Sequence, residues 1–259
     1  MTTQAPVSGM AVALTICRRE LIRFFRQPAR IAAAVGTPML LWVLLASGFG
    51  DSLVRDALGA SYASFLLPGV MSLVAVFAAI FSSISVIEDR REGWLQSVLV
   101  SPAPRWSIAL GKMLGGGVMA FIQAAMLLFA LPLLDVQPGI VGIAWSLLGI
   151  AALSFSMAGL GLMFAWRCET TSSFHAVMNL VFMPMWMLSG AFFPVSGAHA
   201  WMAWLIRMNP LTWATEAVRG PLTGLPANDW SGAMAISVIF AIGMLGLATW
   251  IVTKPSKSA

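Results

Sequence analysis

The side chains of this 259-residue chain that can carry ionic or proton chemistry are few, and they are gathered. The densest group is Glu88, Asp89, Arg90, Arg91 and Glu92, followed by Gly93, Leu95, Val98, Leu99, Pro102, Arg105 and Lys112. Such a run supports ion pairing and docking. Patterns for bond-making chemistry are missing. Gly111 and Lys112 lack the upstream glycine and the following Ser or Thr of a GxxxxGK[ST] loop, so no phosphate cradle is encoded. HExxH and GxSxG are also missing, and the serines and His175 form no convincing nucleophile–base pair. Cys17 and Cys168 have neither CxxC spacing nor a neighbouring His, which argues against a metal site or disulfide. The chain is therefore expected to bind no cofactor and to take any energy from another chain.

A second polar group, Asn209, Pro210, Thr212, Glu216 and Arg219, lies in an apolar segment, 194–230. There Trp201, Trp204, Leu205 and Met208 fall at i, i+3, i+4 and i+7, one face of a helix stopped by Asn209 and Pro210. A second short helix over Leu211–Arg219, with Glu216 and Arg219 three apart, would end at Gly220 and Pro221. Two such helices fit a re-entrant hairpin in the outer leaflet, and equally a pair lying flat on the outer surface. Tryptophans at 201, 204, 213 and 230 suit the headgroup zone in either case.

The elements that must position these groups are membrane spans. With 59% hydrophobic and 10% charged residues, the chain is far more apolar than a soluble domain. Runs free of Asp, Glu, Lys and Arg cover 31–50, 62–87, 113–134, 140–166, 170–193 and 231–253, the fifth holding His175. Each can cross roughly 30 Å of hydrocarbon as a helix, in which every backbone polar group is satisfied internally. Six spans and an all-α polytopic fold are expected, as a single domain over 1–259. A charged loop, 88–112, lies between spans two and three. Six spans put both termini on one side, and twelve of the 15 basic residues fall on that side; only Arg55, Arg207 and Arg219 fall opposite. The positive-inside rule makes that side the cytoplasm, in a cell inner membrane. The arginine-rich leader before the first run argues that this span is retained. Residues 12–28 alternate Leu14, Cys17, Leu21, Ile22, Phe24 and Phe25 with Arg18, Arg19, Arg23 and Arg26, which predicts an amphipathic helix on the inner leaflet. A net charge of +5 spread over span ends points to lipid headgroups and away from nucleic acid.

Charge-free spans disfavour an ion-coupled transporter, which usually needs an intramembrane carboxylate or base. Polar groups inside the spans are milder: Thr37, Ser72, Ser82, Ser83, Ser85, Gln123, Ser146, Ser154, Ser156 and Asn179, which read as packing or pathway-lining groups.

The order of these features resembles the ABC-2-type transporter permeases. Glu88 to Lys112 is similar to the family's signature, and LSGAFFPVS at Leu188–Ser196 followed by RMNPLTWATEAVRG at Arg207–Gly220 resembles its apolar-Asn-Pro-Leu-Thr stretch before the last span. The resemblance runs over nearly the whole chain; Trp94, Leu95 and Gln96 depart from it where many relatives carry a small polar and then an acidic residue. It implies an exporter half: two permeases, as a homodimer or a pair of similar chains, and two separate ATPase subunits that bind ATP and Mg. It implies that Glu88–Arg105 forms a coupling helix docked on the ATPase, for which Leu95, Val98 and Leu99 offer an apolar face; that face could also pack on the chain's own spans. Phe192, Phe193, Pro194, Asn209, Pro210, Thr212, Glu216 and Arg219 are the expected exit gate, and an amphipathic drug, lipid or glycan-linked molecule the cargo. A self-contained secondary transporter or channel is the alternative.

Overall fold

The structure is a computed structural model that describes residues 8–49, 61–134, 136–192, 199–224 and 230–254. Among these residues every regular element is helical. The elements are α1 (Gly9–Phe25), α2 (Pro28–Phe49), α3 (Tyr62–Ser82), α4 (Ile84–Arg91), α5 (Trp94–Leu99) and α6 (Arg105–Met126, extended by a 3-10 turn over Leu127–Leu133). Then follow α7 (Ile140–Arg167), α8 (Thr171–Val177), α9 (Met183–Met187), α10 (Ala200–Met208), α11 (Pro210–Thr223) and α12 (Trp230–Thr253).

Among the described residues five stretches are long and apolar enough to cross a bilayer: Ile31–Gly48, Tyr62–Arg91, Arg105–Leu133, Ile140–Arg167 and Trp230–Thr253. The remaining expected span, 170–193, is shorter and interrupted. It starts with a capping box in which Thr170 and Ser173 satisfy each other's backbone N–H groups, passes through a π-helical turn over Met178–Phe182, and ends at Met187. A sixth crossing therefore does not follow from length and composition.

The charged segment 88–112 is helical for most of its length. α4 continues α3 after a break at Ser83, and α6 begins at Arg105, eight residues before the apolar run that marks it in the sequence. Pro104 precedes the first turn of α6, and Gly93, in the left-handed conformation (φ 78°), turns the chain between α4 and α5. Lys112 is tolerated inside α6 because it finds acidic partners there.

Packing depends on small residues where backbones approach. A Cβ on Gly111 of α6 would lie 2.7 Å from Ala13 O of α1, and one on Gly115 would lie 2.8 Å from Glu20 Cβ. The same contact recurs between α7 and α11, where a Cβ on Gly149 would meet Ala217 O at 3.0 Å. The expected stop at Gly220 and Pro221 is overrun, since α11 continues to Thr223 and ends at Gly224 (φ 61°). Pro221 removes the N–H that would bond Ala217 O in the helix ladder, and, one residue on, Ser146 Oγ of α7 donates to Val218 O at 3.1 Å.

Candidate functional site

α1 is built as an arginine-rich amphipathic helix, yet its buried face is Ala13, Ile16, Glu20 and Phe24, spaced three and four apart. This face lies on α6, so α1 belongs to the bundle on one side; on the other, Met10, Leu14, Ile22 and Phe25 are exposed. Packing α1 on α6 brings three acids and three bases together across α1, α4 and α6. Asp89 has no exposed surface; it receives both Arg19 Nη atoms, at 2.8 and 3.0 Å, and the Lys112 ammonium. Lys112 Nζ also donates to Glu20 Oε1 at 2.7 Å and to Ser85 Oγ at 3.0 Å. Arg23 Nη2 donates to Glu88 Oε2 at 2.7 Å. The Arg19 guanidinium lies 3.8 Å from the centre of the Trp94 ring, which joins α5 to the cluster. Its hydrogen bonds to Asp89, aided by nearby acids, raise the Arg19 pKa above an already high value, so it stays charged at any physiological pH. Arg90 donates to Trp166 O at 2.8 Å and Cys168 O at 3.0 Å, fixing α4 to the last turn of α7.

The segment therefore has an inner and an outer side, and the division differs from the one expected. Asp89 and Arg90 face the protein's own helices. Leu95, 2% exposed, lies in the main core, and Val98 and Leu99 pack partly buried against it. The outward surface is Arg91, Glu92, Gln96, Ser97, Val100, Pro102 and Arg105, with Gly93 half-buried at the turn. The physical reason is that a six-residue helix joined through tight turns to two spans lays its apolar side on those spans.

Above the cluster opens a cavity of about 840 Å³ between α1, α2, α3, α4, α6 and α8. Glu20, Arg23, Gln27 and Glu88 line its charged end. Leu73, Val74, Phe77 and Met119 line its apolar end, and Thr37, Gln123 and His175 add polar points on three different helices. From Glu88 to Leu73 along α4 and α3 is about 22 Å at 1.5 Å per residue, so the cavity is charged at one end and greasy at the other. Asn179, Leu180, Met183 and Met187 are exposed on the outer side of the interrupted α8–α9 helix, and Leu40, Val43 and Leu44 on α2.

The second polar group lies at the far end of the α3–α4 rod: from Phe65 to Asp89 is about 36 Å, near the thickness of the hydrocarbon core. Arg219 on α11 is buried over the Phe65 ring, 4.1 Å from its centre. It donates to Glu216 Oε1 at 3.0 Å and to Gly190 O at 2.9 Å. Asn209 caps α11 through Leu211 N and donates to Met185 O, while Thr212 Oγ1 donates to Ile206 O at 2.6 Å. Tyr62 Oη reaches Phe192 O at 3.5 Å, and Pro210 opens α11. The polar residues of the expected exit gate thus form one clasp holding α11 against α3 and the turn after α9. Phe193 and Pro194 lie outside the described residues. α11 packs on α3, α7 and α12, whereas the stripe of α10, Trp201, Trp204, Leu205 and Met208, faces outward.

Glu20 and Arg23 escaped the sequence reading as site residues. The signal was present: Glu20 is the one acid in α1 and lies in register with Ala13, Ile16 and Phe24, a burial position that an acid occupies only when paired.

Nodulation protein J of Rhizobium leguminosarum bv. trifolii is 26% identical over 250 residues, 87% of this chain and 88% of its own length. The inner membrane transport permease YadH of Escherichia coli (strain K12) is 25% identical over 235 residues, 88% of this chain and 89% of its own. A protein of the same strain named "Probable multidrug ABC transporter permease YbhR" is 28% identical over 160 residues, 61% of this chain but 43% of that relative's length. The ABC-2 type transporter profile matches residues 12–223, from α1 to the end of α11, and the chain belongs to that family of membrane transport permeases.

Proposed function

We propose that the chain is the transmembrane half of an ATP-driven exporter in a cell inner membrane, with both termini in the cytoplasm, working as a dimer of permeases with two ATPase subunits. The observation that carries this reading is the Arg19–Glu20–Asp89–Lys112 cluster. It joins an outward-facing polar loop to three helices that line the cavity, so a push on the loop moves the cavity wall. ATP binding draws the two ATPases together and shifts α4 and α5. The cluster carries that shift into α1 and α6 and changes the balance between inward-open and outward-open states. The ATPase meets the outward face of the segment, where Arg91, Gln96, Val100 and Arg105 are available to it. A second permease covers the exposed faces of α2 and α8–α9, which removes Asn179 from lipid. α10 and α11 form a re-entrant hairpin that closes the exit, and the cavity's two unlike ends favour an amphipathic cargo.

The test is copurification of the ATPase with the permease from detergent. Val100→Asp with Arg105→Glu weakens capture at least tenfold while the permease itself keeps its thermal stability, because these side chains touch none of the core. Undiminished capture overturns the docking face. Transport by the permease without any ATPase overturns the exporter and leaves the secondary transporter.

A further inference from the structure

The Arg19–Glu20–Asp89–Lys112 cluster is balanced in charge, and its one partly exposed member is stacked on a ring. Two cations face two acids, so no carboxylate is left over for either cation. Glu20, Asp89 and Lys112 side chains are at most 4% exposed, whereas that of Arg19 is 33% exposed. A guanidinium is planar and donates only along its edges, which Arg19 gives to Asp89 and Glu20; its faces stay open unless something stacks on them. Trp94 does so. Its ring centre lies 3.8 Å from the Arg19 guanidinium carbon and 5.6 Å from Lys112 Nζ, so both cations of the cluster are within reach of one ring.

Trp94 is also how α5 grips α1. The left-handed turn at Gly93 sends the chain from α4 into α5, and Trp94 is the first residue after it. The polar side chains that follow bond within their own segment: Gln96 Nε2 donates to Arg90 O at 2.9 Å, and Ser97 Oγ to Gly93 O at 3.1 Å. Leu95, Val98 and Leu99 pack on the core, but apolar packing is non-directional. A stacked guanidinium is held in one plane. We propose that Trp94 is a positioning residue for energy coupling: its ring fixes the plane in which Arg19 meets Asp89 and covers one face of that pair, so that α5 passes its movement to α1 through the stack. What moves α5 rests on the exporter reading; the stack itself does not. Without the ring the guanidinium is free to turn, and water and salt reach its contact with Asp89.

Two measurements test the stack and the coupling separately. The first needs no ATPase: the apparent melting temperature of the full-length permease in detergent as potassium chloride rises from about 0.1 M to about 1 M, over which the screening length falls from roughly 10 to 3 Å. The wild type shifts little, because covered pairs are poorly screened. Trp94→Ser loses several degrees over the same range, and Trp94→Phe follows the wild type. Equal salt dependence of the wild type and Trp94→Ser overturns the shielding. The second measurement compares capture of the ATPase with its stimulation by the permease in liposomes. Trp94→Leu keeps capture within twofold and loses stimulation at least fivefold, while Trp94→Phe retains at least half of it. Arg19→Lys, charged but without a planar face, loses as much as Trp94→Leu, and the two changes combined add no further loss. Equal losses in Trp94→Leu and Trp94→Phe overturn the role of the ring. Loss of capture in step with stimulation puts Trp94 in the docking surface and overturns the positioning role, and full stimulation by Trp94→Leu overturns it as well. If the wild type captures no ATPase, the exporter reading falls and the coupling role with it, while the salt series still decides the stack.

Discussion

Asp89 and Lys112 show how two opposite charges persist in an apolar bundle. Neither is solvated, and each has more than one counter-group: Asp89 has Arg19 and Lys112, and Lys112 has Glu20, Asp89 and Ser85. Removing one member leaves a buried charge uncompensated, an effect on the order of 3–5 kcal/mol, whereas removing acid and base together leaves less behind. Lys112→Met is therefore expected to lower the apparent melting temperature in detergent sharply. Lys112→Met with Glu20→Gln, which keeps Asp89 paired with Arg19, is expected to recover part of the loss, and additive losses would show that the residues do not act as a cluster. At the other end of the molecule Arg219 depends on Glu216 in the same way. Glu216→Gln leaves a buried guanidinium with neutral acceptors only, an amide oxygen and backbone carbonyls, and no counter-charge. Export is expected to fall at least tenfold while membrane insertion is preserved; normal export by an inserted variant would make the clasp dispensable.

At the scale of elements, α5 and α1 change meaning once they are packed. The apolar face of α5 is the side that the short connections from α4 and to α6 press onto the bundle. Leu95→Ala is accordingly expected to cost about 2–5 kcal/mol of permease stability, as for other large-to-small core changes. A variant with unaltered melting temperature but lost ATPase capture would put Leu95 at the docking surface. The α1–α6 contact depends on Gly111 and Gly115, where no side chain fits. Gly115→Leu is expected to dislodge α1, which would expose Cys17, one of the two cysteines, to maleimide; unchanged labelling of Cys17 would show that α1 does not need this contact.

For the whole molecule, the charge clusters sit about 36 Å apart at opposite ends of the α3–α4 rod, and the rod between them is almost entirely apolar. A bilayer accommodates this arrangement in one way, with the clusters at its two faces. Single cysteines introduced in a cysteine-free background at Ser101 and Ser256 are expected to be shielded from an impermeant reagent outside the cell, and one at Asn228 to react. Reaction at Ser256 would remove the six-span topology.

Length and polarity of the apolar runs determined that this chain is helical and membrane-embedded, because a bilayer requires each spanning segment to satisfy its own backbone, and that requirement is local. The positions of α2, α7 and α12 were legible to within a few residues for this reason, and so was the stop at Asn209 and Pro210. Partnerships were not legible. Asp89 meets Arg19 across 70 residues of sequence, and Lys112 meets Glu20 across 92, only because Gly111 and Gly115 let α1 lie flat on α6. The inward turn of Leu95, the passage of α11 through Pro221 and the cavity beside Arg23 likewise depend on which helix lies against which. A hydrophobic pattern says that a face is buried, but lipid, a partner chain and a neighbouring helix are equally apolar. Tertiary packing alone distinguished among them, by placing a specific backbone within reach of a specific side chain.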